Sequence, residues 1–118
     1  MLPRRHRLSR QRHIRAVLRA GRRHQGVFMT VRRQASNTSE AHITFVVSRR
    51  VDKRATVRNK IKRRLRSVVA PLLPTLQRLD LVVVTHPAAT KATFSELKKE
   101  LQDLLHRTPH DEHRRRPH

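Results

Sequence analysis

Apolar residues recur along this chain at two spacings, and the changes between them divide it into elements. Ile14, Val17 and Leu18 fall at i, i+3 and i+4, which predicts a helix over residues 9–20 with Ser9 as its N-cap and Gly21 at its end. The opposite face of that helix carries Arg12, Arg15 and Arg19. The spacing then shortens to two. Val27, Met29 and Val31 share one face of a predicted strand, with Phe28 and Thr30 on the other. After a polar loop over residues 35–40, residues 42–48 alternate again, Ile43, Phe45 and Val47 against Thr44, Val46 and Ser48. One of those faces suits burial under helices, and the other suits lining something more polar.

The helical spacing returns over residues 56–70, where Val57, Ile61, Leu65, Val68 and Val69 form a stripe that Pro71 and Pro74 should stop. Asp80 precedes the unbroken run Leu81-Val82-Val83-Val84, the pattern of a strand buried on both faces. Thr93 and Glu96 make a capping box for a last helix, whose stripe is Leu97, Leu101, Leu104 and Leu105. Helix, strand, strand, helix, strand, helix is an α+β order, an α/β sandwich in which helices pack a small mixed sheet. Residues 1–107 form the predicted single domain. Residues 1–8 read as a basic extended arm and residues 108–118 as a disordered basic tail, and no internal repeat is present.

Charge turns this scaffold into a binding protein. The 118 residues hold 29 Lys and Arg against 8 Asp and Glu, a formal net charge of +21 with histidines neutral. Residues 1–66 carry 21 of the cations and only Glu40 and Asp52 as acids, so one half of the chain is a polyanion-facing surface. Nucleic acid is the expected partner, with affinity that falls as salt rises. A membrane partner is not expected. No apolar run nears the roughly 20 residues of a spanning helix, and no apolar segment follows the basic N-terminus. The absence of cysteine excludes disulfides, thiolate metal sites and Cys nucleophiles, and the expected location is the cytoplasm.

The cations are densest in Arg58-Asn59-Lys60-Ile61-Lys62-Arg63-Arg64-Leu65-Arg66, where six of nine residues are basic. On a helix Arg58, Lys62 and Arg66 form one ridge, Lys60 and Arg64 another, and Asn59 and Arg63 a third, while Ile61 and Leu65 anchor the helix. A merely solvated face would interleave acids, and none occurs between Asp52 and Asp80. RNA or DNA contact is therefore the favoured reading. Asn59 is the single uncharged polar residue of the run. It suits either a base edge or ribose, or a brace for the preceding loop.

That run, preceded by Ser48-Arg49-Arg50-Val51 and Ala55-Thr56-Val57, resembles the Arg-Asn-Arg signature of the ribonuclease P protein family. Asn59 is its middle residue, and Lys60 stands where a second Arg is usual. The resemblance extends to Arg7-Leu8, to the basic helix ending at Gly21 and to Asp80 before a Val-rich strand, and covers residues 4–107. It implies a fold like the second domain of a small-subunit ribosomal protein, with a left-handed strand–helix–strand crossover at the basic helix. It implies a protein subunit of ribonuclease P, one per RNA, that assists removal of the 5′ leader of precursor tRNA. In such an endoribonuclease the RNA subunit performs the hydrolysis with divalent metal, magnesium being expected, and the protein itself binds no cofactor or metal tightly.

By the same resemblance the crossover region docks on the catalytic RNA, through Arg49, Arg50, Lys53, Arg54, Arg58, Asn59, Lys60, Arg63 and Arg64. A cleft beside the helix would hold the leader between Arg58, Lys62 and Arg66 and a sheet face bearing Phe28, Thr44, Val46 and Ser48. Ile14 and Leu18 face this cleft from the first helix, at positions where the family often has aromatic residues.

No catalytic residue is expected in the protein. The basic half offers no acidic pair and the chain no His-Glu-x-x-His pattern, although His106, His110, His113 and His118 near its end suit weak transition-metal chelation. Two other classes fit the charge. A structural ribosomal protein shares the size and basicity, and would co-sediment with ribosomes. A DNA-binding regulator would read the major groove with the 56–70 helix, but lacks the short helix–turn–helix pairing that this requires.

Overall fold

Leu81, Val82 and Val83 are wholly enclosed, and the strand that carries them lies inside the sheet. The computed structural model describes residues 11–36 and 39–106. In chain order these form α1 (Gln11–Ala20), β1 (Arg22–Gln25), β2 (Met29–Ala35), β3 (His42–Val46), α2 (Ala55–Val69), β4 (Leu79–Thr85) and α3 (Phe94–His106). The four strands are ordered β1-β2-β4-β3. β4 pairs antiparallel with β2 (Val31 opposite Val83) and parallel with β3 (Phe45 opposite Val83), so β3, α2 and β4 form the expected crossover unit in a mixed sheet. A central strand covered on both faces needs no alternation, which explains its unbroken apolar run.

Alternation along the strands sends side chains into two layers. Met29, Val31, Ile43, Phe45, Leu81 and Val83 join Ile61, Leu65, Leu97, Leu101 and Leu104 in the main core beneath α2 and α3. On the other face Val82 meets Val17 of α1, with Ile14, Leu18, Val46 and Val84 packed half-buried around them. The helices thus flank the sheet on both sides.

Several boundaries moved for physical reasons. The 22–25 segment is a strand that its sequence, Arg-Arg-His-Gln, did not suggest. It pairs with β2 at the sheet edge, only His24 is buried, and charged side chains suit an edge that must not recruit another strand. The strand expected over residues 27–31 starts at Met29, because the chain turns at Gly26, whose N–H donates to Met29 O at 2.8 Å. Val27, expected on the face of Met29, is instead 69% exposed. The α-helix ends at Val69 as Pro71 requires, but a 3-10 turn over Ala70–Leu76 carries the chain past Pro74 and buries Leu76. Val57 is only half-buried at the α2 stripe's edge. The capping box forms as expected, Thr93 N–H donating to Glu96 Oε1 (2.9 Å) and Glu96 N–H to Thr93 Oγ1 (3.1 Å). The Ser9 cap, the arm and the tail lie outside the described residues.

Glu100 on α3 closes the β1–β2 turn by accepting the N–H groups of Val27 and of Phe28 (2.8 Å). A Cβ at Gly26 would overlap that carboxylate. Gly26→Ala is therefore expected to push Glu100 off both donors and cost about 1–3 kcal/mol, since one donor is partly buried. Urea denaturation checks this. In a Glu100→Ala background the same substitution should cost much less, because the carboxylate it displaces is already gone.

Candidate nucleic-acid interface

None of the six acids among the described residues falls within α1 or α2. Asp52 is bound by Arg54, Asp80 by His42, Glu96 caps α3 and Glu100 closes the turn. Glu40 sits just before β3 and Asp103 on α3. The cations of α1 and α2 are left without interleaved acids, so their fields add.

The loop before α2 is built from its own residues. Val51 is buried, and its carbonyl accepts from Thr90 Oγ1 at 2.6 Å, tying the loop to the segment after β4. The Asp52 carboxylate takes the Arg54 N–H (2.8 Å) and both arms of its guanidinium (3.1 Å each). These bonds, the side-chain ones first, hold Asp52 below the usual carboxylate range and raise Arg54. Arg58 reaches back from α2 to donate to the carbonyls of Asp52 (3.0 Å) and Lys53 (2.8 Å). The brace suggested for Asn59 is thus supplied by Arg58, and Asn59 is exposed. Arg49, Arg50, Lys53, Lys60 and Arg63 are exposed as well. Arg64 is half-buried, with its guanidinium 5.9 Å from the Phe94 ring centroid.

That last contact orients α2. Arg64 marks the flank facing α3, so the Arg58, Lys62 and Arg66 ridge lies on the other flank. α3 overlies β2 and α2 overlies β3, which places this ridge at the free edge of the sheet beside β3. All three of its residues are half-buried.

The predicted cleft residues divide. Thr44 and Val46 share the α1 side of the sheet with Ile14 and Leu18, all half-buried, leaving a strip between helix and edge strand open to solvent. Ser48 lies two residues past the end of β3, exposed, its Oγ accepting the Arg50 N–H at 3.3 Å. Phe28 does not belong to the strip. It precedes β2 in the turn, so strand alternation does not govern it, and its ring packs on the main core on the opposite side of the sheet. Two residues join the strip that the sequence reading passed over. Val84 is the register partner of Val46, and His86 is hydrogen-bonded to Thr30 Oγ1 at 2.7 Å. Only strand pairing reveals them. At the far end of the strip His42 Nδ1 meets Asp80 Oδ1 at 3.0 Å, a cross-strand pair that pins the β3–β4 register.

The family model for ribonuclease P matches residues 2–109. The chain belongs to the ribonuclease P protein family. It is 44% identical over 110 residues to the ribonuclease P protein component of Acidothermus cellulolyticus, covering 91% of both chains. It is 36% identical over 107 residues to that of a Pseudanabaena species, covering 89% of this chain and 92% of the relative. Its fold matches the RNase P protein from Thermotoga maritima with a TM-score of 0.79, at 23% identity over 86% of this chain and 99% of that one. The Staphylococcus aureus RNase P protein gives 0.78, at 20% identity over 85% and 92%. Family members are the protein subunit of an endoribonuclease that matures tRNA 5′ ends, and this chain takes that role rather than that of a structural ribosomal protein or a DNA reader.

Proposed function

We propose that the loop before α2 and the outer face of α2 dock on the ribonuclease P RNA, and that the strip between α1 and β3 takes the 5′ leader of precursor tRNA. The observation that carries this reading is the cationic flank of α2 at the free edge of β3, directly beside the half-buried strip. Arg49, Arg50, Lys53, Arg54, Asn59, Lys60, Arg63 and Arg64 face the RNA subunit. Arg54 and Arg64 meet it while tied to Asp52 and Phe94, which fixes their direction in advance. Arg58 serves both sides, holding the loop and bordering the strip. Lys62 and Arg66 contact leader phosphates, and Ile14, Leu18, Thr44, Val46 and Ser48 line its path.

The chemistry belongs to the RNA with bound divalent metal, magnesium in our reading. The protein contributes substrate affinity, with one protein per RNA, in the cytoplasm. Residues 1–107 act as the single domain and residues 108–118 as a basic tail.

Mixing the chain with a bacterial ribonuclease P RNA and labelled precursor tRNA at limiting magnesium tests the proposal. Leader removal should accelerate, and the gain should fade as monovalent salt rises. No acceleration at any salt concentration would sink it.

A further inference from the structure

Of the three phenylalanines, Phe45 is buried in the main core and Phe28 packs half-buried against it, but Phe94 is 39% exposed. The chain has no Tyr or Trp, so this is its most accessible ring of that kind. Phe94 begins α3, where the Thr93–Glu96 capping box fixes the backbone that carries it. Arg64 of α2 sets its guanidinium over the ring, 5.9 Å from the centroid. The ring therefore stands at the seam between α2 and α3, on the main-core side of the sheet and away from the strip beside α1.

Charge is sorted about this seam. At about 100° per residue, Lys98 stands roughly 40° round α3 from Phe94, whereas Glu96, Glu100 and Asp103 stand roughly 180–240° away. Those three acids border a groove beside Gly26 and Phe28, where Glu100 closes the β1–β2 turn. On α2 the residue one turn before Arg64 is Lys60, and that helix carries no acid. Lys60 and Lys98 are both exposed. The ring is thus flanked by cations, and the acids of its own helix face the other way. An uncharged ring set among cations suits a ligand that brings a flat apolar face and a negative charge together. An unpaired nucleotide does so with its base and its phosphate.

We propose that Phe94 and Arg64 form a stacking site for one unpaired base of the ribonuclease P RNA, with Lys60 and Lys98 taking the phosphates on either side of it. The inference rests on the docking role given above for α2 and deepens it. The base lies on the part of the ring that Arg64 leaves open, with the guanidinium plane against its edge. Splayed bases in RNA stack on aromatic rings and on arginine planes alike. A base held inside a duplex cannot present its face, so the site selects a bulge or loop over a stem. A ring that served only to cover the Arg64 stem could be replaced by leucine without loss, and this separates the two roles.

The test measures equilibrium binding of the full chain to a bacterial ribonuclease P RNA, without precursor tRNA, over a salt series. Phe94→Leu keeps an apolar side chain and removes the ring. It should weaken binding about tenfold, within the range of one stacked base. The salt slope and the urea midpoint should stay as they are, because no charge and little burial are lost. Phe94→Trp should retain full affinity, and since the chain has no other Trp, its indole reports on the site directly. The RNA subunit should quench that fluorescence, and a fully paired RNA duplex at the same phosphate concentration should not. Unchanged affinity in Phe94→Leu overturns the proposal, as does an indole that the RNA subunit leaves unquenched or that duplex quenches equally. Quenching that appears only when precursor tRNA is added overturns it too, since the base would then be the substrate's. If Arg50→Ala with Arg63→Ala still weakens binding of the RNA subunit in those cases, the docking reading stands and only the stacking site fails. If that pair has no effect either, the docking reading itself is wrong.

Discussion

Replacing Lys62 and Arg66 together by alanine is expected to weaken precursor-tRNA binding by about thirtyfold while leaving mature tRNA within about twofold. Each side chain is half-buried on the α2 flank beside β3, so its charge is less screened than a free surface cation. Two charge-assisted contacts at about 1 kcal/mol each give about 2 kcal/mol, which is that factor in affinity. Equilibrium binding of both tRNAs over a salt series measures it. Equal losses for the two would place these cations on the tRNA body. Arg58→Ala is a poorer probe, because its guanidinium holds the Asp52 and Lys53 carbonyls, and its removal should loosen the loop and lower affinity for the RNA subunit too.

Leu65→Ala should have the largest effect on stability, about 2–5 kcal/mol. Leu65 is fully buried in the main core and, with the shorter Val69, anchors the basic helix most deeply. A domain of this size has about 5–15 kcal/mol in total, and a net charge of +21 reduces it at low salt by self-repulsion. The variant is expected to unfold substantially at low ionic strength and to regain structure when RNA binds the folded state. Circular dichroism with urea, with and without the RNA subunit, reports both. A midpoint unchanged from the parent protein would mean that α2 is not held by this side chain.

Local pattern was a good guide wherever one residue's neighbours in sequence are also its physical partners. The Thr93–Glu96 box, the stripe of α3, the stop at Gly21 and the buried run of β4 depend on contacts within a turn or on a single period. The signal failed at β1, whose residues have no apolar alternation and are strand only because β2 offers its edge. It failed again at Phe28, where a turn held by Glu100, far off in sequence, breaks the alternation one residue before β2 begins. The brace that could have come from Asn59 comes from Arg58 for a similar reason. Composition cannot tell which of two adjacent polar residues points back along the chain.

The amino-acid order by itself determined that this is a helix-packed mixed sheet with a cationic, acid-free helix at about residues 56–70, because periodicity and charge density are properties of short stretches. Tertiary structure alone decided which flank of that helix borders the sheet edge, that Val84 and His86 join Thr44 and Val46 on one strip, and that Phe28 does not. Those facts depend on strand order and register, which bring together residues some forty positions apart, and no local spacing encodes them.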